Sequence, residues 1–196
     1  MATPTVVTTS TTTEERSAEV EKAAVGSAAG WWYDWVDGHR VGAAALVGVI
    51  ATQLGTYFGY VFPAIGLPTL PWPLYNGVLA TPAEEFGTAA SFFPGQTLHY
   101  VNGIVFAILY AVLALPMMRF RNTHLGNVAS GLLYSVVLTI ISLGVLVPYA
   151  YVPKQGYGFF SFYGPDGWKL PAAVLLWHLI YGFFLGTLFQ LRRERA

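Results

Sequence analysis

The sequence is short of charge and has no cysteine. Only 10% of its 196 residues are Asp, Glu, Lys or Arg, and the ten acidic and ten basic side chains cancel. That balance provides no basic face of the kind that nucleic-acid binding requires, so we expect no nucleic-acid partner. Without cysteine the chain forms no disulfide, thiolate metal site, iron–sulfur cluster or covalently attached haem.

Long apolar runs are what the sequence does contain. Hydrophobic residues make up 55% of it, and four uncharged runs stand out: Val41 to Phe62, Leu98 to Met118, Leu125 to Val147 and Leu170 to Leu191. At about 1.5 Å of rise per residue, each run is long enough as a helix to cross a hydrocarbon core of about 30 Å. The pattern predicts an all-α fold, a four-helix transmembrane bundle.

Basic residues are concentrated on one side of this predicted bundle. Eight of the ten lie in residues 1–40, in the loop between the second and third spans, or in residues 192–196. Since Lys and Arg are retained in the cytoplasm, both termini are predicted to be cytoplasmic, in a bacterial plasma membrane. The expected parts are a tail (1–40), a four-span membrane domain (41–191) and a basic end (192–196).

The motif His-x3-Gly-x3-small occurs twice, beginning at His99 and at His178. The two copies are 79 residues apart, and the same shift aligns parts of the first and third spans. Spacings of four place the histidine and both small residues on one helix face. We therefore expect the first two spans to be repeated by the last two in parallel orientation.

Small residues also mark the expected helix contacts. Glycine and alanine allow helix backbones to approach closely, which matters in lipid because no hydrophobic drive brings the helices together. The positions predicted to pack in this way are Gly55, Gly59, Gly103, Ala107, Gly131, Gly182 and Gly186.

The repeated motif, followed by an aromatic residue, and a third span that ends at Pro148 resemble a family. It is a widespread family of small uncharacterised four-span bacterial membrane proteins, and the similarity covers about residues 41–191. The resemblance implies the four-span fold and implies that His99 and His178 belong to the family's recurrent pattern. It implies no activity.

Aromatic clusters lie before the first span and in the third loop. Apolar side chains in an outer loop are costly to leave in water, and aromatic anchors form the cores of interfaces. We expect docking onto larger membrane-embedded protein subunits, and contact with lipid, through Trp31, Trp32, Trp35, Tyr157, Phe159, Phe160, Phe162, Tyr163 and Trp168.

His99 and His178 are the candidate cofactor-binding residues. Two histidines on neighbouring helices can be the axial ligands of a b-type haem if they lie at the same depth. Counting along the helices from the cytoplasmic arginines separates them by about 9 Å. We therefore expect a hydrogen-bonded interior pair without a cofactor. Haem b, another metal or a proton relay is the alternative.

No catalytic residue is assigned, and no metal site is expected. The chain has no Ser/His/Asp order, phosphate loop or zinc-protease motif. Asp34, Asp37 and His39 lie close together beside the first span, where charged groups usually cap a helix at the headgroup level.

The function expected from these patterns is that of a non-catalytic accessory subunit in a larger membrane complex. The host would be a respiratory oxidoreductase or a membrane monooxygenase. Two alternatives stay open. One is a haem-binding electron-transfer or isomerase-like enzyme that uses His99 and His178. The other is a small-molecule binder or permease that uses the polar stripe Thr52, Thr56, Asn102, Ser135 and Thr139.

Overall fold

A computed structural model shows an all-helical fold. It describes residues 20, 26, 28, 30–85, 87–121, 123–151 and 166–191, and within these ranges there is no strand. Helix α1 covers residues 30–38. The others are α2 (Arg40–Val61), α3 (Trp72–Ala80), α4 (Ala89–Leu109), α5 (His124–Ile141) and α6 (Lys169–Leu188).

Several helices are extended by turns of a different pitch. A 3-10 turn at Phe62–Ile65 follows α2, and a second one forms at Ala83–Glu85. Helix α4 continues through a π-helical turn, Tyr110–Ala114, and α5 continues as a π-helical segment, Ser142–Tyr151. A π turn contains more residues for the same rise than an α turn, and such turns are common at functional sites.

Four helices are long and apolar enough to cross a membrane: Arg40–Ile65, Ala89–Met117, His124–Leu146 and Lys169–Leu188. The prediction of an all-α fold with four helices apolar enough to span a membrane is thus confirmed for the described residues. The predicted start of the second span, at Leu98, is wrong because α4 begins at Ala89. Pro94 lies inside α4, and the next residue, Gly95, packs closely against α3.

The spanning helices pack as a chain of neighbours. The close pairs are α2 with α4, α2 with α6, and α5 with α6, and α4 and α5 are not among the close pairs of described helices. Between α2 and α4, a Cβ added at Gly103 would lie 1.8 Å from the Thr52 hydroxyl oxygen. Between α5 and α6, a Cβ at Gly182 would lie 1.9 Å from the Ser135 hydroxyl oxygen. Only glycine fits at either crossing.

The other small residues predicted to pack also lie at helix contacts. A Cβ added at Gly55 would lie 3.0 Å from the Trp177 ring, and one added at Gly59 would lie 3.1 Å from the Leu70 carbonyl oxygen. Of the remaining predicted positions, Gly186 faces the backbone of α5, Gly131 faces the Gly182 carbonyl, and Ala107 lies against α2.

After α2 the chain folds back into the bundle. Pro63 has no N–H, so the carbonyl of Gly59, four residues earlier, lacks its helical donor. The N–H of Leu70 donates to that carbonyl at 3.1 Å instead. Gly66 makes the reversal in the left-handed conformation, with φ of 78°, which glycine adopts without a Cβ penalty. The chain has therefore returned to the level of Gly59 before α3 begins.

Helix α3 is not among the predicted elements. Four prolines lie between residues 63 and 73, a composition that is typical of loops. Pro73 is tolerated because it lies in the first turn of α3, where the N–H groups have no helical acceptor. A Cβ at Gly95 would lie 1.7 Å from the Pro73 carbonyl oxygen, and one at Gly77 would lie 2.3 Å from the Ser91 carbonyl oxygen. The two helices are therefore in backbone contact.

Helix α1 lies against the end of α6, where the Trp32 indole Nε1 donates to the Leu188 carbonyl at 2.8 Å. Most of the predicted tail, and the predicted docking residues of the third loop, lie outside the described residues. The latter are Tyr157, Phe159, Phe160, Phe162 and Tyr163.

Candidate functional site

A cavity lies between α3, α4, α5 and α6. The space open to the centre of a water molecule is about 60 Å³. One water requires about 10–15 Å³ by this measure, so several would fit. The cavity is lined by both predicted histidines and by aromatic, amide and aliphatic side chains: Trp72, Asn76, His99, Asn102, Gly103, Phe106, Leu138, Ile141, Ser142, Leu146, Trp177, His178 and Tyr181.

His99 uses both ring nitrogens within the protein. The Thr56 hydroxyl donates to the Thr52 carbonyl at 2.7 Å, so its oxygen is left to accept from His99 Nε2, which is 2.9 Å away. His99 Nδ1 lies 3.4 Å from Asn76 Nδ2, which is always a donor. The hydrogen-bond pattern therefore assigns the proton of His99 to Nε2.

The amide of Asn76 ties α3 to α4. Its Nδ2 also donates to the Trp72 carbonyl at 2.9 Å, and its Oδ1 accepts from Asn102 Nδ2 at 3.3 Å. Asn76 is 2% exposed. A buried polar group of this kind is favourable only when it is hydrogen-bonded, so the network both needs and fixes the docked position of α3.

His178 is held by only one of its nitrogens. Nδ1 lies 2.8 Å from the Val174 carbonyl oxygen, which can only accept, so Nδ1 carries the proton. Nε2 is then an acceptor, and it has no hydrogen-bond partner in the described part of the chain. A histidine whose Nδ1–H is fixed by a backbone carbonyl presents Nε2 to a ligand. His178 therefore offers a buried acceptor to the cavity.

Two indole rings surround the histidines. The ring of Trp177 is 5.3 Å from that of His99 and 5.2 Å from that of His178, and the ring of Trp72 is 6.3 Å from each. The Nε1 atoms of both tryptophans are buried without a partner in the described residues. The indole of Trp177 faces Gly55 on α2. Both tryptophans thus line the cavity, while their Nε1 atoms are enclosed by the protein.

The difference in depth counted for the two histidines stays a prediction. His99 lies ten residues after the first residue of α4, Ala89, and His178 lies nine after Lys169, the first residue of α6. Both rings lie beside the ring of Trp177. Yet a haem shared by both rings would have to break both hydrogen bonds of His99. The geometry therefore favours separate roles for the two histidines.

The predicted polar stripe is not one continuous path. Thr56 and Asn102 belong to the network around His99, and only Asn102 lines the cavity. Thr52 and Ser135 face glycines of neighbouring helices, and Thr139 donates to the Ser135 carbonyl at 2.8 Å.

Trp72 and Asn76 were missed because they lie on α3. Trp177 and Tyr181 were also missed. They are four residues apart, on either side of His178 in the sequence, and this spacing would have indicated an aromatic site on one helix face. Among the described residues, no three His, Asp or Glu side chains are grouped as they would be to hold a metal.

The predicted docking tryptophans differ in their surroundings. Trp31 is 64% exposed and Trp168 is 65% exposed. Trp32 and Trp35 are partly buried, and their rings are 5.3 Å apart. The N–H of Trp32 donates to α6 of the same chain. Among these four tryptophans, the exposed surface is therefore provided by Trp31 and Trp168.

Comparison with protein-family models, with curated proteins and with solved structures found no match. The family resemblance described above therefore stays a prediction, and the site has to be interpreted from its own geometry.

Proposed function

We propose that this chain is a membrane-embedded binding protein for a small uncharged molecule, which it holds in the cavity at His178. The observation that carries the proposal is the unpartnered Nε2 of His178, fixed in place by the bond from Nδ1 to Val174. The cavity has room for several water molecules, and a bound molecule that donates a hydrogen bond to Nε2 would take the place of one of them.

The surrounding groups support binding rather than catalysis. Both nitrogens of His99 and both ends of the Asn76 amide are engaged within the network, and the Tyr181 hydroxyl donates to the Gly103 carbonyl at 2.7 Å. These groups hold one another in place, so they are not free to exchange a proton with a bound molecule. The chemistry left to the site is recognition through His178.

Native mass spectrometry of protein purified from its own membrane tests this proposal. We expect a small molecule to remain bound to the natural protein and to be lost from His178→Asn. The asparagine amide can still donate to Val174, but it has no acceptor at the position of Nε2. His178→Gln, which places an oxygen near that position, should recover the molecule.

His39→Asn is the matched control, because His39 Nδ1 also lies near a carbonyl four residues earlier, that of Trp35, at 3.2 Å, but on the surface. It should keep the bound molecule. The proposal is wrong if the natural protein carries no small molecule above the lipid and detergent background, or if His178→Asn retains it.

The exposed tryptophans favour a second proposal, that the chain is an accessory subunit of a larger membrane complex. Trp31 and Trp168 each leave about two thirds of a large indole uncovered, and such side chains are enriched where proteins dock. A respiratory oxidoreductase or a membrane monooxygenase is the host we propose. A binding protein can serve as such a subunit by holding a molecule beside a catalytic partner.

Replacing Phe159, Phe160 and Phe162 by serine should release the chain from its host complex in mild detergent without unfolding it. Trp168→Ser should weaken the complex in the same direction. Phe93→Ser is the control, because Phe93 is 68% exposed but lies on α4 outside the aromatic clusters. Full retention of the triple variant in the complex would count against docking through this loop.

We also propose the parallel repeat and the cytoplasmic termini predicted from the sequence. In the first pair of helices Gly103 crosses at Thr52, and under the shift of 79 residues these positions become Gly182 and Gly131 in the second pair. A Cβ at Gly182 would lie 2.3 Å from the Gly131 carbonyl oxygen. Equivalent positions thus meet in both pairs, which supports a repeated two-helix unit.

A further inference from the structure

The cavity reaches the surface on the side where α4 and α5 are not packed together. Ile141 and Leu146 line it, yet they are 40% and 36% exposed. Both belong to the membrane-spanning segment His124–Leu146. The opening therefore faces the hydrocarbon core of the membrane and not water.

Contacts limit the opening between α4 and α5 at both of its ends. On one side the Tyr134 hydroxyl donates to the Phe106 carbonyl at 2.9 Å, and the rings of Tyr110 and Tyr134 are 5.3 Å apart. On the other side α3 contacts the π-helical segment that follows α5. What remains is a lateral opening between α4 and α5, with Phe106 on one edge and Ile141 on the other.

The chemistry at the inner end selects a hydrogen-bond donor. His178 Nε2 is an acceptor without a partner in the described residues, and an uncharged hydroxyl can donate to it. None of the described residues that line the cavity is Asp, Glu, Lys or Arg, so a charged ligand would lose its hydration without gaining an ionic partner among them.

The cavity is large enough for the polar group of a ligand but too small for a whole apolar molecule. A dry cavity that binds benzene measures about 150 Å³, more than twice the 60 Å³ found here. The inner space therefore holds a polar head, and an apolar remainder would lie in the opening against Ile141 and Leu146.

We infer that the cavity binds a membrane-soluble alcohol or phenol, which enters sideways from the lipid between α4 and α5 and donates its hydroxyl proton to His178 Nε2. The inference rests on the proposed binding function and names the class of ligand and its route.

The first test compares two probes that differ in one hydrogen-bond donor. Tritiated 4-propylphenol and its methyl ether, 4-propylanisole, are titrated into the protein in lipid nanodiscs, with empty nanodiscs as background. We expect saturable binding of the phenol, at least tenfold weaker binding of the ether, and a shift of the His178 Nε2 resonance in ¹⁵N NMR with the phenol alone. His178→Asn should reduce phenol binding by about tenfold, which corresponds to about 1.4 kcal/mol.

The second test addresses the route. Ile141→Trp should fill the opening and slow or weaken phenol binding by about tenfold, a difference of about 1.4 kcal/mol. Ile140→Trp is the matched control, since Ile140 is 56% exposed and does not line the cavity. Equal binding by the two variants would show that the lateral route is wrong.

The outcomes separate this inference from the proposed function. If phenol and ether bind equally, or if neither binds while native mass spectrometry still finds a retained molecule, the ligand class is wrong and the binding function stands. If neither probe binds and no molecule is retained, both are wrong.

Discussion

The two histidines show how identical motifs acquire different roles. Both begin a His-x3-Gly sequence, but His99 is hydrogen-bonded to Thr56 and Asn76, which come from other helices. Within the described residues, the hydrogen bond of His178 goes to the carbonyl of its own helix, at Val174. The sequence singled out both residues from their spacing. It could not distinguish them, because the difference depends on groups that are brought close only by the tertiary fold.

Removing the acceptor of His99 should destabilise the fold. Thr56→Val keeps the shape of the side chain but leaves the buried His99 Nε2–H without a partner, at a cost of about 1–3 kcal/mol. Thr97→Val is the control, since the Thr97 hydroxyl also donates to a carbonyl four residues earlier, at 3.1 Å, but is exposed. Its effect should stay within about 0.5 kcal/mol.

The free energy of unfolding in mixed detergent micelles, measured by SDS titration, gives both values. Equal losses in Thr56→Val and Thr97→Val would contradict the hydrogen-bond network as described.

Among the elements, the spanning helices can be predicted from sequence, whereas α3 cannot. Long uncharged runs identify the spanning helices because lipid forces backbone groups to bond within a helix. Helix α3 has nine residues, with Pro71 just before it and Pro73 in its first turn, so its own pattern resembles a loop. Its structure comes from backbone contact with α4 through Gly95 and Gly77, and such contacts leave no periodic signal. Asn76, the polar residue that completes the site, lies on α3 and was therefore not predicted either.

Gly95→Ala should undock α3, because the new Cβ would lie 1.7 Å from the Pro73 carbonyl oxygen. The readout is a single cysteine at Val78, which is 1% exposed in a chain without cysteine. Val78→Cys alone should resist N-ethylmaleimide, and adding Gly95→Ala should make it react.

Gly42→Ala serves as the control in the Val78→Cys background, since nothing lies within 4 Å of a Cβ there. Equal labelling of the Gly95→Ala and Gly42→Ala variants would show that α3 does not depend on this contact.

For the whole molecule, the composition indicated a membrane protein but did not identify its binding partners. The four spans follow from hydropathy and length, and the predicted orientation follows from the distribution of Lys and Arg. The cavity could not be predicted, since it depends on α4 and α5 being held apart while α3 enters from the loop. Such an arrangement is a property of packing, which one sequence read without structural contacts does not contain.

The orientation can be tested with single cysteines, because the natural chain contributes no background labelling. Glu84 and Arg119 are both exposed and lie in loops between spans. We expect Glu84→Cys to react with an impermeant maleimide on intact spheroplasts, because basic loops stay in the cytoplasm. Arg119→Cys should react only after permeabilisation. The reverse pattern would place the termini outside.

The fold-back at Gly59 and Leu70 has a consequence for biogenesis. Trp72 follows this turn directly but packs against His99 on α4 and Trp177 on α6. During synthesis from the N-terminus, those partners are made later, and Trp177 belongs to the final span. The segment can therefore dock on α4 first, but the contact of Trp72 with Trp177 forms only after the last helix has been inserted. A chain stopped before α6 would have three spans in the membrane and no completed cavity, so ligand binding would report on finished insertion.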